Sequence, residues 1–265
     1  IAARSIDGVA IDSSVVVGVL AWHTPEGENI MDDSGKTAEI EPTPCPAHPQ
    51  LAGYPYVLSM ERADRSLHDA CAKERIAGYD TKKIVSIFRA VVECVAALHA
   101  KRVVHGDLKQ RNILRLIGNS SRFERWILCD MDASAHVNKA IGRKTSSAYL
   151  PPELASRKYN CECRGQVQSP PCSKCEVQQA KPSFDIWSLG VILFELCAGR
   201  TLFAQDINND ELVEESDKTR LCVWQTISDA ELSPVLKDAY DEDSYGKRVP
   251  VDMYTVIAAK SLIRW

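Results

Sequence analysis

Asp107, Lys109 and Asn112 lie close together in the stretch VVHGDLKQRNIL (103–114), and a further carboxylate, Asp130, closes the apolar run RWILCD (125–130). Transfer of a phosphoryl group from a nucleotide needs residues of these types. A carboxylate has to orient the attacking hydroxyl, and a cation has to sit near the moving phosphate. Oxygen ligands have to hold Mg2+, which takes carboxylate and amide oxygens ahead of nitrogen or sulfur. Asp107 suits the hydroxyl, Lys109 the phosphate charge, and Asn112 with Asp130 the metal, held from two facing strand ends. Each residue alone has a plainer reading, since an aspartate after a glycine is ordinarily turn chemistry. The joint pattern is what points to a metal–phosphate site.

The neighbouring elements must position those groups. Short apolar segments, RVV before the loop and NILRLI after it, frame it as strands. Residues 81–100 carry Ile84, Ile87, Phe88, Val91, Val92, Val95 and Leu98 at helical spacing, with Thr81 as the expected N-cap. SFDIWSLGVILFELCAG is apolar on nearly every side, which predicts a buried helix ending near Gly199, and Pro152 is placed to open another helix. Upstream, SSVVVGVLAW (13–22) and YPYVLSME (54–61) are predicted strands, separated by a Pro-, Gly- and acid-rich loop. The final third reads as short helices joined by acidic loops. Strands first and helices after predict an α+β fold.

Composition narrows the classes. The chain has 265 residues, 45% of them apolar, and a net charge of −4 without a basic stripe, so no nucleic-acid partner is expected. The longest apolar run is interrupted by Glu195 and is too short to span a bilayer, so no membrane insertion is expected. The opening residues are charged where a signal peptide would be apolar. Of ten cysteines, Cys45, Cys71, Cys94, Cys129, Cys197 and Cys222 are scattered, several on apolar faces, as reduced thiols in a cytoplasmic protein would be. The other four, Cys161, Cys163, Cys172 and Cys175, form C-x-C and C-x-x-C pairs, either holding a tetrahedral Zn2+ or simply lying in a reduced, Cys-rich loop.

With these residues in view, HGDLKQRN resembles the loop H-R-D-L-x-x-x-N of eukaryotic protein kinases. LCDMDAS stands where the family has D-F-G, YLPPE where it has A-P-E, and FDIWSLGVILFEL resembles its long buried helix. The resemblance covers roughly residues 54–265, and Lys109 follows the serine/threonine-type pattern. It implies a kinase-like fold, mostly a helical large lobe (61–265) with a Cys-rich insertion at about 156–182, and only a remnant of the small-lobe sheet (1–60). It implies ATP and Mg2+ as cofactors and protein hydroxyls as substrates. Asp107 would be the catalytic base, Lys109 the phosphate contact, and Asn112 and Asp130 the Mg2+ ligands. Met60 would lie beside the adenine and Leu114 beneath it. Ser146 would sit in the substrate-facing segment, and Asp185 would tie the buried helix to the loop.

The sequence also departs from that family. Gly106 replaces an arginine that would clamp a phosphate on the activation segment. Met131 can fill the apolar slot of the motif phenylalanine, whereas Asp132 stands where glycine is usual and is expected to cost backbone strain. No G-x-G-x-x-G and no strand lysine of the small lobe is found, so the chain is expected to be a fragment, truncated at both ends and poorly active by itself. The alternative expectation is a pseudokinase, a binding or scaffolding module with little phosphotransfer.

Overall fold

The structure, a computed structural model, describes residues 4–6, 9–23, 30–31, 37–38, 57–118, 124–141, 146–160, 178–206, 208–242 and 246–264. The fold is α+β, as expected. Among the described residues seven helices follow one another: α1 (Leu67–Glu74), α2 (Thr81–Ala100), α3 (Pro152–Asn160), α4 (Pro182–Ala198), α5 (Glu215–Cys222), α6 (Asp229–Leu232) and α7 (Met253–Ile263). The Cys-rich insertion and most of the loop between residues 23 and 53 lie outside the described residues.

α4 is the pillar. Pro182 opens it, where a missing N–H costs nothing, and Gly199 closes it in the left-handed region at φ +67°. Phe184, Leu189 and every residue from Val191 to Cys197 are buried, so the helix is enclosed by protein as its apolar sequence requires. It packs against α2, α7 and the strand Val103–Val104. Burial pushes the Cys197 thiol up to about 12, and that of Cys94 up to about 11, so both act as small apolar groups.

α2 buries Ile84, Ile87, Val91, Val95 and Leu98 of the stripe read from the sequence, with Phe88 half-buried, and adds Cys94. Two details differ. Val92 faces outward, one residue off the stripe. The cap is Asp80 rather than Thr81: its carboxylate accepts the N–H of Lys83 at 3.0 Å, and Thr81 is already helical. α1 lies in a charged stretch that gave no helical prediction. Ser66 caps it through the N–H of Asp69, while Leu67 and Ala70 turn inward.

Two small sheets carry the candidate residues. Glu124–Leu128 pairs antiparallel with Ile113–Ile117, whose other edge takes Arg65–Ser66. Val103–Val104 pairs with Ala135–His136. The predicted strand over 13–22 divides in two. Asp12 draws residues 13–15 into a turn, its side chain accepting from Ser14 and its carbonyl from Val15 and Val16. Val15 and Val17 then hydrogen-bond Leu128, and the strand proper runs from Val19 to His23, paired with Val57–Met60.

The turn after α1 closes against the end of α4. The N–H of Gly78 donates to the Leu196 carbonyl at 2.7 Å. A Cβ on Gly199 would meet the Ala77 carbonyl oxygen at 3.1 Å. Gly199→Ala should therefore lower stability by roughly 1–2 kcal/mol, the ordinary cost of a side chain in the left-handed region. The check is a lower urea midpoint at unchanged denaturant slope; an unchanged midpoint would contradict it.

Candidate active site

The loop between Val104 and Ile113 takes its shape from a carboxylate outside it. Asp185, in the first turn of α4 and 1% exposed, accepts the N–H of His105 at 2.9 Å and that of Gly106 at 3.0 Å. A ring nitrogen of His99, on α2, completes its shell at 2.8 Å. A buried carboxylate is tolerable only when its oxygens are met in this way, and the helix N-terminus favours it further. His105, fully buried, accepts the N–H of Asp107 on Nδ1 at 3.3 Å and donates from Nε2 to the Cys129 carbonyl at 3.0 Å. These partners fix the neutral tautomer with the proton on Nε2.

The candidate residues converge. Asp107, 6% exposed, accepts the Ser146 N–H on Oδ1 at 2.8 Å. Its Oδ2 lies 3.5 Å from Lys109 Nζ, which donates to Ser146 Oγ at 2.7 Å. Asn112 donates from Nδ2 to the Asp107 carbonyl at 2.8 Å, and its own carbonyl accepts the Cys129 N–H at 2.9 Å, which brings Asp130 beside it. Asn112 thus spends a donor on the loop, and its Oδ1 is an oxygen of the type Mg2+ prefers.

Asp130 stands at φ +60°, a conformation aspartate tolerates better than most residues. The strain expected at Asp132 is absent. That residue is exposed, lies in a 3-10 turn (Met131–Ala133), and is not among the positive-φ positions. Met131 is 2% exposed and fills an apolar slot as read from the sequence. Gly106, at φ +81°, needs to be glycine: a Cβ there would lie 2.7 Å from the Ala133 carbonyl oxygen.

Leu114 packs against the buried cluster Val17, Leu116 and Ile127, as do Cys129 and Ala63, the latter three residues beyond Met60. Met60, at the end of its strand, is 48% exposed. The next residue, Arg115, holds the neighbourhood still: its guanidinium forks onto Glu74 at 2.6 and 3.0 Å and onto Asp64 at 2.6 and 3.0 Å. The guanidinium of Arg65, with that of Arg115, keeps the Asp64 carboxyl below its ordinary range, and Arg115 does the same for Glu74.

Sequence reasoning missed two groups. Glu195, 4% exposed on α4, accepts from Gln110 Nε2 and from the Tyr149 hydroxyl, each at 2.8 Å. Its only signal in the sequence is a lone acid in an apolar helix. Both donors are neutral, so burial dominates and raises its pKa to about 7. The second group is the hairpin Gln205–Asp206/Glu211–Leu212, whose Asp210 reaches Lys109 and Arg111, each at 3.4 Å. Nothing local marks it, because its partners lie about a hundred residues earlier. Cys161, Cys163, Cys172 and Cys175 lie outside the described residues, and among the described residues no group of three or more His, Cys, Asp or Glu side chains could hold a metal.

The assembled loop, the strand ends facing it and the buried helix behind them stand together on an α+β frame. The chain belongs to the protein kinase domain family, whose model matches residues 52–241. The liver/testis isoform of the phosphorylase b kinase gamma catalytic chain from Mus musculus is 28% identical over 172 residues, covering 58% of this chain and 37% of that protein. Serine/threonine-protein kinase Kist from Mus musculus is 27% identical over 203 residues, covering 74% of this chain and 45% of the other. A TBC domain-containing protein kinase-like protein from Gallus gallus is 29% identical over 167 residues, covering 59% of this chain and 17% of the other. The chain thus matches less than half the length of these relatives. No described helix is long and apolar enough to cross a membrane.

Glu195 makes stability depend on pH. Its folded pKa of about 7 lies above the ordinary 4.5, so folding favours the protonated form. Its contribution is complete below about pH 4.5 and is lost as pH rises through about 7, a swing of roughly 3 kcal/mol. Glu195→Gln keeps an acceptor without the charge. Relative to wild type, the variant should gain roughly 3 kcal/mol between about pH 5 and pH 8 in urea denaturation. A pH-independent difference would contradict the burial.

Proposed function

We propose that the protein transfers the γ-phosphate of ATP to serine and threonine hydroxyls of protein substrates. The observation that carries this reading is the joint fixation of Asp107 and Lys109. Carboxylate and ammonium lie 3.5 Å apart, and both are tied to Ser146 of the segment facing them. With Oδ1 occupied by the Ser146 N–H, Asp107 has Oδ2 to accept the proton of a substrate hydroxyl. Lys109 lies beside that oxygen and donates toward the group being transferred. Asn112 Oδ1 and the Asp130 carboxylate would hold Mg2+, which supplies charge neutralisation of the phosphates when bound. Leu114 would form the floor under the adenine, and the chain at Met60 would line its edge. The serine/threonine class rests on Lys109 and on the relatives' names, among them a serine/threonine-protein kinase.

A second reading, a binding module with little transfer, draws support from Asp132. Its exposed carboxylate follows Asp130 by two residues and adds negative charge near the candidate metal site. The two readings separate in one experiment on the protein at its natural length. Labelled γ-phosphate from Mg·ATP should pass to serine and threonine in a mixed peptide pool. Asp107→Asn should reduce that transfer by roughly a thousandfold while leaving the thermal midpoint within a few degrees. Equal transfer by the variant would remove Asp107 from the chemistry. Absence of transfer by the folded wild type would leave the binding module as the function, and Asp132→Gly would then show whether that charge is the reason.

A further inference from the structure

Asp210 combines two unfavourable conditions. It is a carboxylate 4% exposed, and its backbone sits in the left-handed region at φ +53°. The hairpin makes that conformation rigid. Asp206 accepts the N–H of Asn208 at 2.9 Å and the amide of Asn209 at 2.8 Å on its carboxylate, and the Asp210 N–H at 2.8 Å on its carbonyl. Among the described residues of the hairpin no cation offsets the buried charge of Asp210. The compensation comes from the loop carrying the candidate site: Lys109 Nζ lies 3.4 Å from Oδ2 and Arg111 Nε 3.4 Å from Oδ1.

The same hairpin grips the segment facing Asp107. The Asp210 carbonyl accepts the Ala148 N–H at 3.1 Å, and the Leu212 N–H donates to Ser147 Oγ at 2.8 Å. Glu211 accepts from Ser147 Oγ and, at 2.9 and 3.0 Å, from Lys158 Nζ. The hairpin therefore touches both halves of the arrangement, the loop through Asp210's side chain and the segment through its backbone. It does so where Gly106 gives the loop no guanidinium with which to hold a phosphate on that segment.

We propose that Asp210 is a positioning residue: its carboxylate sets Lys109 and Arg111 in place and, with the hairpin backbone, locks residues 146–149 against the loop without any phosphate on that segment. Its catalytic consequence rests on the phosphotransfer reading, whereas its effect on the segment does not. Lys109 is held between two carboxylates, Asp107 and Asp210, so removing one should draw the ammonium toward the other and away from its working position.

The test uses Asp210→Asn, which keeps the shape and the tolerance of left-handed backbone while removing the charge. Two readouts are taken on the whole protein. Amide exchange at Ser146 and Ala148 should accelerate about tenfold or more relative to wild type, with exchange within the buried helix 182–198 unchanged. The kcat for peptide phosphorylation should fall between about tenfold and a hundredfold per folded molecule, with little change in the KM for ATP. A purely structural role would instead speed exchange throughout the helix and scale activity with the folded fraction. Wild-type transfer with an unaltered kcat and unaltered exchange in the variant overturns the proposal while leaving the phosphotransfer reading intact. No transfer by wild type removes that reading, and the exchange data then decide the proposal by themselves.

Discussion

The arrangement depends on one buried carboxylate. Asp185 holds two consecutive backbone N–H groups, those of His105 and Gly106, and a single acceptor group gripping adjacent donors fixes the direction of the loop as well as its distance. The carboxylate cannot drift, because α4 is packed on almost every side and a close-packed interior transmits displacement rather than absorbing it. From there the positions follow in sequence. The His105 ring passes the constraint to the Cys129 carbonyl, and the Cys129 N–H passes it to the Asn112 carbonyl, which brings Asp130 beside Asn112. Removal of the Asp185 carboxylate would leave two buried N–H groups unmet and the loop without a direction.

The charges around the loop fall into two kinds of environment. Asp107 and Asp210 alternate with Lys109 and Arg111, so two negative and two positive groups offset one another while water is largely excluded. Such a cluster is expensive to disturb singly, since loss of any member leaves a neighbour uncompensated. Glu195 takes, among the described residues, the neutral donors Gln110 and Tyr149. Neutral hydrogen bonds do not repay the burial of a full charge, and its carboxyl therefore titrates near neutrality. Its partners connect the loop, through Gln110, to the segment ending at Tyr149, so the group that titrates lies between the parts that must stay aligned.

Legibility in the sequence followed the range of the interactions. α2 and α4 were readable because helical burial repeats every few residues and is written locally. The loop residues were readable because their types are chemically restrictive and they are near neighbours in the chain. Failures arose where a single hydrogen bond or a distant partner decided the outcome. Asp80 displaced Thr81 as cap by one bond, and Asp12 turned residues 13–15 out of a β-branched run that propensity alone would extend. α1 was hidden by its charges because Asp64 and Glu74 face Arg115 rather than water alone, a pairing set by tertiary contact. Asp210 and Glu211 were unreadable for the same reason: in the sequence they are two acids in an acidic loop.

The departures at Gly106 and in the DMD turn are one feature rather than two. In the sequence, Asp132 stands where backbone freedom is expected, and Gly106 where a side chain has been lost. In the fold the left-handed residues are Asp130 and Gly106, and Asp132 lies in ordinary turn geometry with its side chain outward. The turn Met131–Ala133 brings the Ala133 carbonyl to within 2.7 Å of where a Cβ at residue 106 would be, a distance no side chain accepts. The absence of a side chain at 106 therefore permits the close turn. The close turn in turn buries Met131 and leaves Asp130 beside Asn112. An arginine restored at 106 could not act simply as a regained phosphate clamp, because its Cβ would first displace the turn that positions Asp130. Reversion of one departure without the other would disorganise the very carboxylate it was meant to regulate.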